Sequence, residues 1–544
     1  MDIHIDDQDW QVVDCDADIN SLDEALLAAT IPELKRKYPC ACGSTHKPWK
    51  NYMMESRNRE TTEATITQAD STRCLVGRLP TEILSTIFDL AVAESPFVNG
   101  GLGETKSTES IIAQVCTWWR RIALDTPALW TTIRFREKAS KEWTCWALVF
   151  LRIQTYLKRS GQTPVDLWVE VTSHWVADWF LKNFRDHLPR WRRVSMRLPE
   201  ESLRPYAPTF SALVDEGAAN LESLEFGIPQ HDKLEIFAEP VEGFLRGVPK
   251  LKHVRMDTRT FRSCMPPLQA LTTLHLETWC TLRPRIRWQT FCAIITSPNL
   301  KNLTLEGGKI FDNRDGTERL AVTTSIERFF CDDDGIIAWM WGALDAPHLK
   351  TVIIKNFVNQ IHSQVINRKD HFPLLTSIVF IDCGVTPRCM EIIGTAARHV
   401  TDFTVIRDIW HPMGFIDMTI GLSPLEALAA HSDDQLLWPE LKLVECDSDA
   451  NLFLEQAQRE ACARLLRQYD LCYLRVFMRV THTPDRKKKS AKAWNEMKEG
   501  ERVSVVSPRE ADFVRHLAFA DYTFCRRKFP RSVKDAKDTI GEIY

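Results

Sequence analysis

Several short segments of this 544-residue chain carry residue types that can do chemistry, and in each the spacing decides what chemistry is open to it. Asn99 to Ser107 reads NGGLGETKS, in which Gly100, Gly103, Lys106 and Ser107 suggest a phosphate-cradling loop. Such a loop needs a glycine directly before its lysine, so that backbone N–H groups can face the phosphates, and an apolar strand leading into it. Thr105 stands at that position and no apolar strand precedes it, which disfavours nucleotide binding. Cys40, Cys42 and His46 offer thiolate and imidazole ligands, but C-x-C is short for a zinc knuckle and no second ligand pair follows nearby. Trp118 and Trp119 beside Arg120 and Arg121 could stack on a base; at helical spacing they read as one buried and one partly exposed ring. The basic run Arg486 to Lys489 reads as a solvated linker or a nuclear-import signal. Neither a Ser/His/Asp nor a Cys/His arrangement has local support, so no catalytic residue, metal site or cofactor is expected, and the chain is not expected to be an enzyme.

The elements that would position any such groups are bounded by composition. A chain of 544 residues exceeds one hydrophobic core, so several units or a repeat array are expected. Hydrophobic residues at 44% and charged residues at 26% argue against a largely disordered chain. The net charge of -4 gives no reason to expect whole-surface attraction to nucleic acid or to anionic membrane. Sixteen cysteines are scattered without an N-terminal export signal, so reduced thiols are expected. No stretch approaches the ~20 apolar residues of a membrane span. The expectation is a soluble protein of the cytoplasm, the nucleus or both.

Helical spacing begins at Leu79. In LPTEILSTIFDLA, Ile83, Leu84, Ile87, Phe88 and Ala91 recur at helical intervals, and Pro80 suits a first turn, where its missing N–H is least needed. After a polar interruption at Pro96 to Glu109, IIAQVCTWWRRIA places Ile111, Ile112, Val115, Trp119 and Ile122 on one face of a second helix. A third helix is predicted from about Lys141 to Arg159, stopped at Gly161.

Farther along, a different pattern recurs: a large apolar residue, two residues, a second apolar, one residue, a third apolar. It appears as Leu221, Leu224, Phe226; Leu251, Val254, Met256; Leu271, Leu274, Leu276; Leu300, Leu303, Leu305; and Ile326, Phe329, Cys331. It continues as Leu349, Val352, Ile354; Leu375, Ile378, Phe380; Val400, Phe403, Val405; Leu441, Val444, Cys446; and Leu471, Leu474, Val476, with a degenerate early copy at Trp191, Val194, Met196. Several copies follow a proline: Pro189, Pro249, Pro298, Pro347, Pro373 and Pro439. The intervals, mostly roughly 20 to 30 residues, are those of leucine-rich repeats. Each copy predicts a short strand whose apolar side chains cover the neighbouring repeat, giving a curved parallel sheet with helices and loops on its convex side.

LPTEILSTIFDLA followed by VCTWWRRIA resembles an F-box, the motif that docks substrate receptors onto the Skp adaptor of SCF (cullin-RING) ubiquitin ligases. The tail Asp125, Thr126, Pro127, Leu129, Trp130 and the polar insertion before Ile111 resemble the expanded fungal F-box proteins that carry irregular leucine-rich repeats; the Pro96 to Glu109 segment is longer than in the simplest F-boxes. The resemblance implies an α/β protein, a helical F-box leading into a leucine-rich repeat solenoid. It places adaptor-binding residues at Leu79, Pro80, Ile83, Leu84, Ile87, Phe88, Val115, Cys116, Trp119 and Ile122. It implies the Skp adaptor, and through it the cullin-RING ligase, as partner, an unidentified protein as substrate, and no nucleic acid or membrane. The alternative is a repeat scaffold that binds proteins without a part in ubiquitination. The expected organisation is an acidic, mostly flexible arm over 1–74, the F-box over 75–135, a linking helix over 136–163, the repeats over 164–483, and a basic linker with a helical cap and tail over 484–544.

Strand alternation also predicts a binding face. The residue between the second and third apolar positions runs Ser195, Glu225, Arg255, His275, Thr304, Phe330, Ile353, Val379, Thr404, Glu445, Arg475. Its apolar middle, Phe330, Ile353 and Val379, extended by Ile381 and Ile406, is expected either to recognise substrate or to lie buried under inserted loops.

Overall fold

The computed structural model describes residues 79–94, 108–137, 146–171, 173–197, 217–227, 247–263, 265–278, 286–307, 310–312, 322–357, 371–406, 422–431, 436–447, 452–469, 472–477, 494 and 503–506. The expected acidic arm, Cys40, Cys42 and His46, the 99–107 segment, the 486–489 basic run and the C-terminal helix lie outside them. The chain divides into two compact units. One holds residues 1–203, 218–221 and 527–544; the other holds 204–217 and 222–526. Among the described residues, three of the long parallel strands lie in the first unit and eleven in the second.

The first unit opens with helices α1 (Thr81–Glu94), α2 (Thr108–Val115) and α3 (Thr117–Asp125) and a 3-10 turn at Pro127–Trp130. Strand β1 (Thr132–Arg136), helix α4 (Trp146–Arg159), strand β2 (Val165–Glu170), helix α5 (His174–Arg185) and strand β3 (Trp191–Arg197) follow. β1 pairs with β2 and β2 with β3, all parallel, and parallel neighbours need a crossover such as α4 or α5 supplies. Parallel strands thus begin at Thr132, inside the segment assigned to the box from sequence. Trp130, Ile133 and Phe135 fit the repeat spacing, and all three are buried. α4 ends where Gly161 takes φ +55°, the left-handed conformation expected of a helix stop.

In the second unit the strands are β4 (Ser223–Gly227), β5 (His253–Asp257), β6 (Thr273–Glu277), the short β7 (Ile286–Arg287), β8 (Asn302–Glu306), the short β9 (Phe311–Asp312) and β10 (Val322–Thr323), then β11 (Arg328–Cys331) and the short β12 (Leu344–Asp345). β13 (Thr351–Lys355), β14 (Ser377–Ile381), β15 (Asp402–Ile406), β16 (Leu443–Asp447), β17 (Tyr473–Phe477) and β18 (Val503–Val506) complete them. The eleven long strands lie side by side in chain order, while β7 pairs with β9 and β10 with β12. Helices α6 (Thr258–Ser263), α7 (Trp288–Ile295), α8 (Asp334–Ala343), α9 (Pro387–Ala396), α10 (Pro424–Ala429) and α11 (Leu452–Gln468) lie in the crossovers.

The apolar template falls on the strands, its second and third positions two residues apart on one buried face. The first apolar residue closes a turn just before the strand. Its N–H donates three residues back in Leu251 to Val248, Leu300 to Ser297, Leu349 to Ala346, Leu375 to Phe372 and Leu441 to Trp438. In these turns the second residue is Pro249, Pro298, Pro347, Pro373 or Pro439, the position at which a turn exploits proline's fixed φ. The recurring prolines are turn formers that set the start of each strand. Against the apolar face, Trp341 of α8 meets Phe372 at 5.3 Å, and Phe403 lies between Phe380 at 5.8 Å and Trp438 at 5.2 Å. Among the described residues no helix is long and apolar enough to cross a membrane.

Candidate docking surface and repeat face

α1 carries two apolar stripes about 100° apart. Leu84 and Phe88, one turn apart, are each 1% exposed and pack toward α2, α3 and the 3-10 turn. Ile83, Ile87 and Leu90, displaced by one residue, are 49%, 43% and 57% exposed. The remaining helices repeat this division because the expected single second helix is broken. Cys116 takes an extended backbone conformation, and its Sγ accepts the Trp119 N–H at 3.4 Å, so the residue ends α2 and caps α3. Ile112, Ala113, Ile122 and Ala123 consequently turn inward, whereas Ile111, Val115 and Leu124 are exposed.

The buried side is closely tied. The Phe88 and Trp119 rings meet at 4.8 Å, and Arg120 Nε donates to the Ala113 carbonyl at 2.9 Å. Trp130 Nε1 donates to the Ala123 carbonyl at 2.7 Å, Tyr156 meets the Trp130 ring edge-on at 5.1 Å, and Arg159 lies 4.5 Å over it. The Tyr156 hydroxyl donates to Glu109 Oε1 at 2.6 Å, fastening α2 to α4. The box is therefore seated on the element that crosses from β1 to β2.

Among the expected adaptor contacts, Pro80, Ile83, Ile87 and Val115 are exposed, and Leu79, Cys116 and Trp119 are half-buried. Leu84, Phe88 and Ile122 are a correction: they are buried within the box, so they hold its helices together instead of offering side chains outward. Leu90, Ile111 and Leu124 join the exposed apolar set and were not anticipated, although Leu90 lies two turns beyond Ile83 on the same stripe. Trp118 and Trp119 are both half-buried, so neither is the fully buried ring expected of that pair.

The repeat face has the predicted register, and of the two expectations for its apolar middle it is burial that is observed. Glu225, Arg255, His275, Thr304, Phe330, Ile353, Val379, Thr404, Glu445 and Arg475 are opposite one another on successive strands. Its middle is not an open recognition patch. Phe330, Ile353, Val379, Ile381 and Ile406 are buried in one apolar cluster, with Ile353 at 0% exposure, which corrects the substrate-contact expectation. Strand alternation fixes which sheet face a side chain points to, but not what covers that face.

The flanks are polar and paired. Arg255 lies 3.5 Å from Glu225 and donates to Glu277 Oε2 at 2.8 Å. Burial pushes the Glu277 carboxyl up, but the charges of Arg255 and His275 with the Arg255 hydrogen bond outweigh it, leaving Glu277 below the ordinary carboxylate range. On the other flank Glu445 accepts from Thr404 at 3.1 Å and from Arg475 at 2.6 Å. There the face opens: Tyr473 is exposed, and the Arg475 side chain is 44% exposed. His275, Glu277 and Glu306 bring ligand atoms within 4.8 Å of one another, a grouping that sequence spacing alone did not suggest.

No protein-family model matches the chain, and no curated protein matches it.

Proposed function

We propose that this chain is the substrate-recognition subunit of an SCF-type, cullin-RING ubiquitin ligase, acting in the cytoplasm or nucleus. Residues 79–130 dock a Skp-type adaptor, and the leucine-rich repeats behind them receive a protein substrate. The reading rests on the bare stripe of Ile83, Ile87 and Leu90 beside the buried stripe of Leu84 and Phe88. A self-contained helical box needs one apolar stripe on α1; a second, with Pro80, Ile111, Val115 and Leu124 exposed as well, is apolar surface of the kind that marks an interface. Exposed residues here replace Leu84, Phe88 and Ile122 as the adaptor contacts.

Such a subunit performs no bond chemistry. It raises the local concentration of a substrate lysine beside a ubiquitin-loaded enzyme, and its contribution depends on holding the docking box firmly. The Tyr156–Glu109 hydrogen bond and the Arg159–Trp130 stack serve that purpose. With the apolar middle buried, the substrate contact moves to the open end of the repeat face, where Tyr473 and Arg475 are the residue types that anchor protein interfaces.

Co-purification of the full chain with a Skp adaptor and cullin is the test. Wild type is expected to retain both, and Ile83→Glu with Ile87→Glu to lose both while staying folded. A folded wild-type chain that retains neither would overturn the reading.

A further inference from the structure

β6 and β8 are neighbouring parallel strands, with Glu277 directly opposite Glu306 and His275 opposite Thr304. His275 and Glu277 are two residues apart on β6 and therefore point to the same sheet face. His275 Nε2 is 3.2 Å from Glu306 Oε2, with the two side chains 7% and 27% exposed, and all three ligand atoms lie within 4.8 Å of one another. The group is recessed, and Glu306 is its most open member.

Two carboxylates directly opposite on adjacent strands are ordinarily destabilising. The neighbouring acid in the same lateral row, Asp257, opposite Glu277, has a local structural role: it accepts the Thr260 N–H at 2.9 Å and the Thr260 hydroxyl. Glu306 instead approaches an imidazole nitrogen at 3.2 Å, and Glu277, paired with Arg255, places a ligand oxygen within 4.8 Å of both.

We propose that His275, Glu277 and Glu306 form a binding site for a divalent first-row transition-metal ion such as zinc. One imidazole nitrogen and two carboxylate oxygens are a zinc donor set, and three protein ligands leave a fourth tetrahedral position for water or an incoming side chain. Donors each ~2.0–2.1 Å from a tetrahedral ion stand about 3.3 Å apart. The His275–Glu306 separation of 3.2 Å matches that edge. The Glu277 ligand oxygen lies within 4.8 Å of the other two and would move inward to reach the same point.

Arg255 supplies the outer support such sites use. It donates to Glu277 Oε2 at 2.8 Å, which restrains the carboxylate, and it is itself held by Glu225. Arg255 is a positioning residue. The ion would tie β6 to β8 and replace repulsion between facing carboxylates with a shared bond.

The test uses the full chain, stripped with chelator and titrated with zinc alone, then with cobalt as a spectroscopic substitute. The expected result is one saturable equivalent that His275→Gln and Glu306→Gln each weaken at least tenfold, and that Arg255→Gln weakens about 10–100-fold. The bound cobalt is expected to show no thiolate charge-transfer band, which separates this site from the sixteen cysteines of the chain. Zinc is also expected to raise the melting temperature of wild type and not of Glu306→Gln, whose side chain, 27% exposed, is the most open of the three and lets the variant fold. Equal stoichiometry and affinity in wild type and the two ligand variants, thiolate bands throughout, or no saturable binding would each overturn the assignment.

Discussion

Tyr156 on α4 donates its hydroxyl hydrogen to Glu109 on α2 at 2.6 Å, a buried bond that spans 47 residues of sequence. It is a direct side-chain fastening between the helical box and the strand crossover beneath it. Tyr156→Phe leaves a buried carboxyl oxygen without this donor and is expected to cost about 1–3 kcal/mol. Denaturant unfolding measures it. Glu109→Gln combined with Tyr156→Phe should cost less than the sum of the two single changes, as expected for direct partners.

Adjacent residues on α1 should respond in opposite ways. Ile87→Glu introduces charge on an exposed stripe, so stability should stay within about 0.5 kcal/mol of wild type while adaptor capture is lost. Phe88→Ala removes a ring buried against Trp119 and is expected to cost about 3–5 kcal/mol. Parallel unfolding and pull-down measurements separate the two. Similar destabilisation by both would contradict the two-stripe arrangement.

Ile353 gives the corresponding test on the repeat face. With no exposed surface, Ile353→Ala should lower stability by about 2–5 kcal/mol through lost burial and the cavity left behind. Tyr473→Ala and Arg475→Ala, at the open end, should reduce substrate capture without a loss of that size. Unchanged unfolding of Ile353→Ala would return that residue to the surface.

Gly307 has φ +108°, and a Cβ built there would lie 1.6 Å from the Thr278 carbonyl oxygen. Its N–H also donates to Asp332 at 2.6 Å. Gly307→Ala should therefore lower the unfolding free energy by more than the ~1 kcal/mol of an ordinary unfavourable backbone change, because backbone must move as well. Thermal melting beside Gly227→Ala, where open space surrounds the added carbon, checks it.

Glu327 gives a pH prediction with a definite sign. Hydrogen bonds from Lys350 at 2.8 Å and from Lys301, paired at 3.1 Å, hold its carboxyl below the ordinary value of 4.5. A group depressed on folding stabilises above its unfolded value, and that contribution disappears as pH falls through the folded value. Wild type should thus lose slightly more stability than Glu327→Gln as pH drops below 4.5, and added salt should shrink the difference because these lysines are exposed. Denaturant midpoints across that range, at low and high salt, provide the measurement.

What the sequence alone determined about this protein is what short-range stereochemistry controls. Leu251, Val254 and Met256 specify a turn, a strand and an inward face because proline geometry and strand alternation act over a few residues. The same reasoning located α1 and the register that aligns Glu225 with Arg475 through the strands between them. Local sequence did not reveal that Cys116 would leave the helical conformation, because a cysteine cap lies outside the usual capping residues. The tertiary structure alone decided that Ile87 is bare while Phe88 is sealed, and that Ile353 is buried instead of offered to a partner. It also brought Glu306 to His275 and Glu277. Exposure and convergence depend on what distant segments place beside a residue, and the repeat pattern, which is the same for covered and open strands, carries no record of those neighbours.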